Sequence, residues 1–265
     1  MVLANALKCR LSRGQPILGI WSIIPSPIVA EIIGQAGMDF QILDAEHGVF
    51  DFQALDNSIR ACESAGCAPL VRAPGPDQFF IQTVLDIGAH GIIVPQVSSY
   101  QAAQTAVKLV RYGPDGVRGF NPFTRAGNYG LPSAEKASQQ FDAFVLSSII
   151  IENTHAFRDL DRILTIPGLD MLYLGVYDMS VSLGCRGQTN DPRIEEFVEV
   201  SIRKIRESGK AAGVMVKTRQ ELDRAIRLGA NVLVFAVDTL VIHNAISEAV
   251  AMSRMAWDFV SRERC

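Results

Sequence analysis

Short apolar runs recur along the whole chain, with amphipathic stretches between them. The runs are nearly all apolar instead of alternating with polar residues, which is typical of strands buried on both faces of a sheet. There are eight of them: Ile17–Ser22, Phe40–Asp44, Ala68–Arg72, Gly91–Pro95, Ser148–Glu152, Met171–Gly175, Gly213–Val216 and Val232–Val237.

The segments between the runs carry helical spacing. Leu55, Ile59 and Cys62 lie at positions i, i+4 and i+7 of one segment, and Pro192–Ser208 and Arg219–Leu228 follow the same pattern. This alternation predicts an α/β fold of parallel strands joined by crossover helices. Eight units favour a closed (β/α)8 TIM barrel, as a single domain over residues 1–265. An open doubly wound sheet is the alternative, but no GxGxxG fingerprint follows the first strand.

Composition excludes several classes of binding partner and says less about the fold. The length of 265 residues is close to the roughly 250 of one α/β barrel. The 25 Lys and Arg against 28 Asp and Glu leave a net charge of −3, which argues against a nucleic-acid or membrane-surface partner. Five scattered cysteines form no CxxC pair, and no signal-peptide core or membrane-length apolar run appears. A cytoplasmic protein with reduced thiols is expected.

Two segments exceed a minimal barrel. Tyr112–Ala134 is long and rich in glycine and proline, and loops of this length in a compact domain are usually functional. The tail Thr239–Cys265 has the pattern of an amphipathic helix, with Trp257 and Phe259 among its apolar residues. We expect this helix either to cap the barrel or to reach a neighbouring subunit.

Two carboxylates follow apolar runs at adjacent predicted strand ends. Active sites of such barrels lie at the carboxyl ends of the strands, so Glu152 and Asp178 are expected on the same rim. Together they offer oxygen ligands to a divalent ion such as Mg²⁺ or Mn²⁺, with waters and substrate completing the shell. The alternative is structural: Asp178 would cap the next helix, or each carboxylate would pair with an arginine.

Other polar groups fall on this predicted rim. Asp44 precedes His47 by three residues, a spacing that suits a carboxylate orienting a general-base imidazole. Arg72 could bind a carboxylate or a developing enolate oxygen, or pair with Asp44 or Glu46. Trp21 is expected either to wall the pocket or to pack in the core.

The long loop and two further turns add candidates. Arg118 and Arg125 could bind a second substrate, or be solvated on the surface. The turn at Gly175-Val176-Tyr177 could present backbone N–H groups to an anion. Lys217 is the candidate for a Schiff-base aldolase mechanism.

Five stretches combine into a specific pattern. They are LDAEHG at 43–48, PLVRAP at 69–74, LDIGAHGIIVPQV at 85–97, IIIEN at 149–153 and GLDMLYLGVYDMSVSLG at 168–184. In this order they resemble the HpcH/HpaI aldolase/citrate lyase family, the metal-dependent (class II) 2-oxo acid aldolases. The resemblance extends over nearly the whole chain, from Leu18 to about Val237.

The resemblance implies a carbon–carbon lyase that acts on a small 2-oxo acid such as pyruvate with an aldehyde as co-substrate. A divalent ion (Mg²⁺, Mn²⁺ or Co²⁺) would be held by Glu152 and Asp178, and Arg72 would help to stabilise the enolate. His47, oriented by Asp44, would transfer protons directly or through water. Asp86 matches a family aspartate that reaches an adjacent subunit, and the family forms hexamers of dimers that exchange C-terminal helices.

Departures from the family pattern leave the second substrate open. Ile150 stands where the aldolases often have glutamine, Val176 follows Gly175 where they often have proline, and the arginine-bearing loop is longer. The WSIIPSP start and that loop also resemble a branch that makes citrate from oxaloacetate and acetyl-CoA for siderophore assembly. A citrate synthase, using acyl-CoA, is therefore the alternative to an aldolase. A non-catalytic barrel that senses an organic acid is a third hypothesis.

Overall fold

Eight parallel strands close into a barrel in the computed structural model, which describes residues 5–130 and 134–263, without the side chains of residues 134–135 and 256–263. The strands are β1 Ile17–Ser22, β2 Phe40–Asp44, β3 Ala68–Arg72, β4 Gly91–Val94, β5 Leu146–Ile151, β6 Met171–Leu174, β7 Ala211–Val216 and β8 Val232–Val237. Each strand pairs with the next, and β1 pairs with β8. The predicted (β/α)8 barrel is confirmed, and the open-sheet alternative is wrong.

Helices surround the barrel. They are α1 Ala6–Ser12, α2 Pro27–Gln35, α3 Phe52–Ser64, α4 Gln78–Asp86, α5 Tyr100–Val110, α6 Ala134–Phe144, α7 Thr154–Arg158, α8 Leu160–Ile163, α9 Val176–Ser182, α10 Pro192–Glu207, α11 Arg219–Leu228 and α12 Asp238–Glu263, with one 3₁₀ turn at Asn128–Gly130. No described helix is long and apolar enough to cross a membrane.

Four of the eight predicted strands have different boundaries in the structure. β4 ends at Val94, because the Pro95 nitrogen carries no hydrogen to donate to a neighbouring strand. β5 runs from Leu146 to Ile151, so Glu152 is the first residue after the strand. The other differences are of one or two residues, at β6 and at the start of β7.

Two apolar layers hold the barrel together. The outer layer lies between strands and helices, and the inner layer fills the barrel with side chains such as Phe40, Ile93 and Val234. Gly19 makes room for this filling, because a Cβ there would lie 2.5 Å from the Phe40 ring. The interior of the barrel is therefore a packed core.

The last helix, α12, does not cover the barrel. Every described side chain from Thr239 to Met255 is exposed. Several of these are large and apolar: Leu240, Val241, Ile242, Ile246, Val250, Met252 and Met255. The expectation that the tail caps its own barrel is wrong for this part of the helix, and Trp257 and Phe259 have side chains outside the described part.

Candidate active site

A cavity of about 290 Å³ opens at the carboxyl ends of the strands. Its wall is formed by Trp21, Ile23, Asp44, His47, Arg72, Ile150, Glu152, Tyr173, Leu174, Gly175, Val176, Tyr177, Asp178, Met215 and Val237. The structure thus brings together nine of the thirteen candidates taken from the sequence. Asp86, Arg118, Arg125 and Lys217 lie elsewhere.

Arg72 is fixed in the cavity wall by two carboxylates. The parallel register of β2 and β3 places Asp44 opposite Arg72. Asp44 accepts hydrogen bonds from Nε of Arg72 at 2.8 Å and from its Nη2, and Oε2 of Glu46 lies 2.9 Å from Nη1. These contacts use three of the five guanidinium N–H groups, so two remain for a ligand. Arg72 therefore pairs with Asp44 and Glu46 and can still bind a ligand, so the two roles considered for it are compatible.

An aromatic pair lies beneath the guanidinium. Trp21 is buried, and its ring centroid is 4.5 Å from Cζ of Arg72. Its indole Nε1 donates to the hydroxyl of Tyr173 at 2.9 Å. Trp21 therefore both belongs to the inner core and walls the cavity, so the two roles considered for it are not exclusive.

Glu152 is a buried carboxylate of the site that forms no ion pair among the described residues, with 7% of the residue exposed. Burial raises the pKa of its carboxyl from 4.5 to about 7; the backbone N–H of Gln96 lowers it, the charges of Asp178 and Glu46 raise it, and Arg72 lowers it. Negative charge is thus concentrated here beyond what Arg72 offsets.

Asp178 lies on the exposed side of the same cavity, in the first turn of α9. The structural roles considered for it do not hold, since Gly175 is the N-cap and no arginine or lysine lies within 4.0 Å of Asp178 or Glu152 in the described chain. Gly175 keeps the space open, because a Cβ there would lie 2.6 Å from Cβ and 3.0 Å from Oε2 of Glu152.

The donor set fits a hard divalent cation. Glu152 and Asp178 supply carboxylate oxygens, the ligands that Mg²⁺ and Mn²⁺ prefer. No group of three or more His, Cys, Asp or Glu side chains with metal-binding placement occurs in the part of the chain that the structure describes. The pair would therefore leave further coordination positions to substrate and water.

Replacing Glu152 by glutamine should stabilise the metal-free protein while disabling the site. The folded-state pKa lies near 7, above the unfolded value of 4.5, so folding stability falls as pH rises between these values and the loss is complete above pH 7. Removing the charge should recover up to about 3 kcal/mol at pH 8, a rise in melting temperature of about 5 °C or more.

Thermal denaturation at pH 8 with chelator, and again with excess Mn²⁺, checks this expectation. Mn²⁺ should stabilise the wild type and leave Glu152→Gln unchanged, because a bound ligand stabilises only the state that binds it. At pH 4 the carboxyl of Glu152 is mostly protonated, so the wild type and Glu152→Gln should have the same melting temperature. A variant that melts lower than wild type at pH 8 without metal would contradict the burial argument.

His47 is not oriented by Asp44. The Asp44 carboxylate is occupied by Arg72, and its Oδ1 also accepts the backbone N–H groups of Glu46 and His47 at 3.0 and 3.1 Å. The imidazole is 66% exposed, and its Nε2 lies 4.0 Å from Oε2 of Glu46. The three-residue spacing between Asp44 and His47 belongs to an Asx-type turn, in which the carboxylate accepts backbone N–H groups two and three residues further along the chain. His47 still lines the cavity.

Asp86, Arg118 and Arg125 lie at the opposite end of the barrel. Asp86 ends α4, and helix ends lie beside the amino ends of the strands in this fold. Arg118 pairs with Asp86 at 2.6 Å, stacks on Tyr112, and has a side chain only 1% exposed, so its interpretation as a solvated arginine is wrong. Arg125 pairs with Glu63. Within one chain none of the three reaches the cavity at Glu152.

Lys217 lacks the features of a Schiff-base lysine. Its Nζ donates to the hydroxyl of Tyr177 at 2.9 Å. This hydrogen bond raises the pKa of Lys217, whereas an amine nucleophile needs a lowered pKa. Lys217 also lines a neighbouring groove and not the cavity itself.

Gln96 was not chosen from the sequence, and Glu46 was considered only as a possible partner of Arg72. Gln96 has a positive φ of 59°, which aims its backbone N–H at Oε1 of Glu152, and its side chain donates to Glu46 at 2.8 Å. Glu46 links this contact to Arg72. No local signal marks Gln96, since asparagine or glycine is the usual choice for a positive φ, although its place after a strand is a positional clue.

Comparison with known proteins identifies the family of the chain. The family model for HpcH/HpaI aldolase/citrate lyase matches residues 18–245. The chain belongs to this family. A hydroxypyruvate/pyruvate aldolase of Roseobacter denitrificans is 33% identical over 91% of this chain and 93% of its own length. Membership of the HpcH/HpaI family makes this chain an enzyme of the aldolase and lyase type, as the resemblance implied.

Two solved structures are also similar to this chain. A family protein from Burkholderia cenocepacia J2315 superposes with a TM-score of 0.90 at 27% identity, covering 95% of this chain and all 100% of that one. Citrate synthase SbnG superposes with a TM-score of 0.87 at 30% identity, covering 95% and 98%. Both an aldolase and a citrate synthase are therefore among the relatives.

Proposed function

We propose that the chain is a divalent-metal-dependent carbon–carbon lyase that acts through the enolate of a 2-oxo acid such as pyruvate, and cleaves or forms 4-hydroxy-2-oxo acids. The observation that carries this proposal is the convergence of Glu152, Asp178 and Arg72 on one cavity. Two carboxylates that repel each other, next to a guanidinium with two free N–H groups, suit the binding of a cation and an anionic substrate together.

Glu152 and Asp178 would hold the ion, and Mg²⁺, Mn²⁺ and Co²⁺ all suit these ligands. When bound, the ion supplies a Lewis-acidic positive charge beside the substrate's oxygens. Arg72 would donate its free N–H groups to the oxygen on which negative charge develops. Asp44 and Glu46 keep the guanidinium in place before substrate arrives, so little reorganisation is needed.

His47 is the proton-transfer group that we propose. It lines the cavity, and its exposed imidazole can exchange protons with solvent. Oε2 of Glu46 lies 4.0 Å from its Nε2. Trp21, Gly175, Val176 and Tyr177 would shape the substrate's surroundings, with Gly175 leaving the space beside Glu152 that a methyl group would fill.

A paired assay tests the proposal. Metal-loaded protein receives 4-hydroxy-2-oxo acids in one arm, with pyruvate release followed, and oxaloacetate plus acetyl-CoA in the other, with free CoA followed. We expect pyruvate release that stops on chelation and returns with Mn²⁺. Full activity after exhaustive chelation, or no release in either arm, would overturn the proposal.

A citrate synthase that condenses oxaloacetate with acetyl-CoA is the second candidate. The observation that favours it is the likeness to citrate synthase SbnG over 95% of this chain. Both reactions need an enolate beside a carboxylate, so the same site residues serve either one. Release of CoA that depends on oxaloacetate would decide for the synthase.

We propose further that the site is completed by a second copy of the chain. The apolar side of α12 is uncovered in one chain, as an exchanged C-terminal helix would be. Arg118 Nε and Nη1 are buried without a hydrogen-bond partner among the described residues. In a dimer or hexamer, Asp86, Arg118 and Arg125 would face the neighbouring cavity, and the positive charges of the two arginines would favour an anionic second substrate there.

Mixing two inactive variants tests this arrangement. Asp86→Ala and Asp178→Ala, unfolded together and refolded as mixed oligomers, should regain up to about one quarter of wild-type activity, because a random pair then combines one intact barrel with one intact neighbour. Separately refolded proteins serve as the control. No recovery in mixed oligomers would place Asp86 outside the neighbouring site.

A further inference from the structure

Gln96, directly after β4, has a backbone conformation that its residue type disfavours. Its φ of 59° lies in the left-handed region, which is costly for a residue with a Cβ. The residues on either side are constrained: the ring of Pro95 fixes its own φ, and Val97 is buried, with its carbonyl accepting a hydrogen bond from Nδ2 of Asn153 at 2.9 Å. Strained backbone of this kind is concentrated at functional sites, so the contacts that it makes are candidates for a function.

From this conformation one residue reaches two carboxylates. The backbone N–H of Gln96 donates to Oε1 of Glu152, and Nε2 of its side chain donates to Oε1 of Glu46 at 2.8 Å. The second oxygen of each acid is left for another partner. Oε2 of Glu46 lies 2.9 Å from Nη1 of Arg72, and Oε2 of Glu152 faces Gly175, where an added Cβ would lie 3.0 Å away. Gln96 therefore links the buried acid to the acid that holds the guanidinium.

The amide of Gln96 suits this link because it is a neutral donor. Burial and the charges of Asp178 and Glu46 raise the pKa of the Glu152 carboxyl, so the charge of Glu46 is felt at Glu152. An amide N–H satisfies Glu46 without neutralising it, so Glu46 keeps its charge for Arg72. A cationic side chain at position 96 would compete with the guanidinium for Glu46. The neutral amide thus keeps Glu46 on Arg72 and apart from the pair of acids that would hold the ion.

We propose that Gln96 is a positioning residue, which holds Glu46, and through it the guanidinium of Arg72, in a fixed place relative to the cation ligand Glu152. The inference rests on the proposed lyase function and adds a residue to its machinery. The contact with Glu152 comes from the backbone, which most substitutions keep, whereas the contact with Glu46 comes from the side chain. Because Arg72 acts on the oxygen where negative charge develops, loss of the side chain should slow enolate formation more than it weakens pyruvate binding.

Two variants of Gln96 test the role of the amide. Gln96→Met keeps the chain length without a donor, and Gln96→Gly adopts a positive φ without strain. The assay is exchange of the methyl protons of pyruvate with deuterated water by metal-loaded protein. Both variants should lose about tenfold or more in kcat, with KM for pyruvate within about twofold of wild type. Gln78→Met is the matched control, since Gln78 is also exposed and its Nε2 donates to the carbonyl of Val117 at 3.0 Å. It should exchange protons like wild type.

Oxalate binding gives a readout that needs no turnover, because oxalate is a planar dianion that resembles the enolate of pyruvate. In calorimetry, Gln96→Met loaded with Mn²⁺ should bind oxalate about tenfold more weakly than wild type. Its affinity for Mn²⁺ itself should stay within about threefold, because Glu152, Asp178 and the backbone N–H of residue 96 are all retained. A loss of Mn²⁺ affinity parallel to the loss of kcat would show a general disturbance of the rim and refute the positioning role.

Glu46→Ala shows whether Gln96 acts through Glu46. In that background Gln96→Met should change kcat by less than about twofold, because the partner of the amide is already gone. Losses that multiply in the double variant would contradict the proposal.

The same measurements separate this proposal from the lyase function. If wild type exchanges pyruvate protons and Gln96→Met exchanges them as fast, the positioning role is refuted while the lyase stands. If wild type neither exchanges protons nor binds oxalate, the lyase proposal fails and the role of Gln96 falls with it.

Discussion

Replacing Asp178 by alanine is expected to lower kcat/KM for a 4-hydroxy-2-oxo acid by about three orders of magnitude or more. Asp178 offers the second carboxylate beside Glu152, and one buried carboxylate alone would hold a divalent ion weakly. Turnover and Mn²⁺ binding by calorimetry should fall together. The fold should survive, because Asp178 is exposed and only the favourable charge at the start of α9 is lost, which costs about 0.3–1 kcal/mol.

Asp161→Ala is the matched control. Asp161 is also an exposed acid in the first turn of a short helix, α8, but lies away from the cavity. The two variants should therefore have similar melting temperatures in chelator and differ only in turnover and metal affinity. Turnover of Asp178→Ala near that of wild type, at saturating Mn²⁺, would refute the ligand assignment.

The secondary structure and the carboxylate pair could be predicted because each is a local signal. Continuous apolar runs identified all eight strands, and a carboxylate after such a run identified Glu152 and Asp178. The rule that barrel strands end at one rim then brought these residues together. That step uses topology alone and needs no knowledge of side-chain contacts.

The contacts within the site could not be predicted in this way. Which side chain holds Asp44 depends on the register between β2 and β3, and the register makes Arg72 its partner in place of His47. Gln96 enters the site through a backbone angle that its residue type does not favour. Such features depend on several elements at once, so no single window of sequence contains them.

The long loop shows the same limit at a larger scale. Its glycines and arginines indicated a functional loop, but composition does not predict at which end of the barrel the arginines lie. In the structure Arg118 and Arg125 pack against the ends of α3 and α4 at the far end of the barrel. Any role at a catalytic cavity must therefore be exerted on another copy, which changes the experiment from a simple substitution to a mixture of subunits.

Replacing Arg72 by lysine is expected to lower kcat by about two to three orders of magnitude, even though the charge is kept. A lysine ammonium cannot meet both oxygens of Asp44, contact Glu46 and still direct two N–H groups at a substrate oxygen. The buried Asp44 would also lose its bidentate partner, so the melting temperature should fall by several degrees. The exchange of the methyl protons of pyruvate with deuterated water measures the effect on enolate formation, and thermal denaturation measures the effect on stability.

Asp44→Asn separates the catalytic effect of Arg72→Lys from its structural effect. Asparagine can still accept one hydrogen bond from Arg72, which Glu46 continues to hold, so this variant should lose stability while keeping far more proton exchange than Arg72→Lys. Arg60→Lys, at an exposed arginine paired with Asp56, controls for the change of residue type. If Arg72→Lys exchanges pyruvate protons as fast as Asp44→Asn, the guanidinium fork has no direct part in stabilising the enolate, and Arg72 is a structural residue whose removal disturbs the rim only through Asp44.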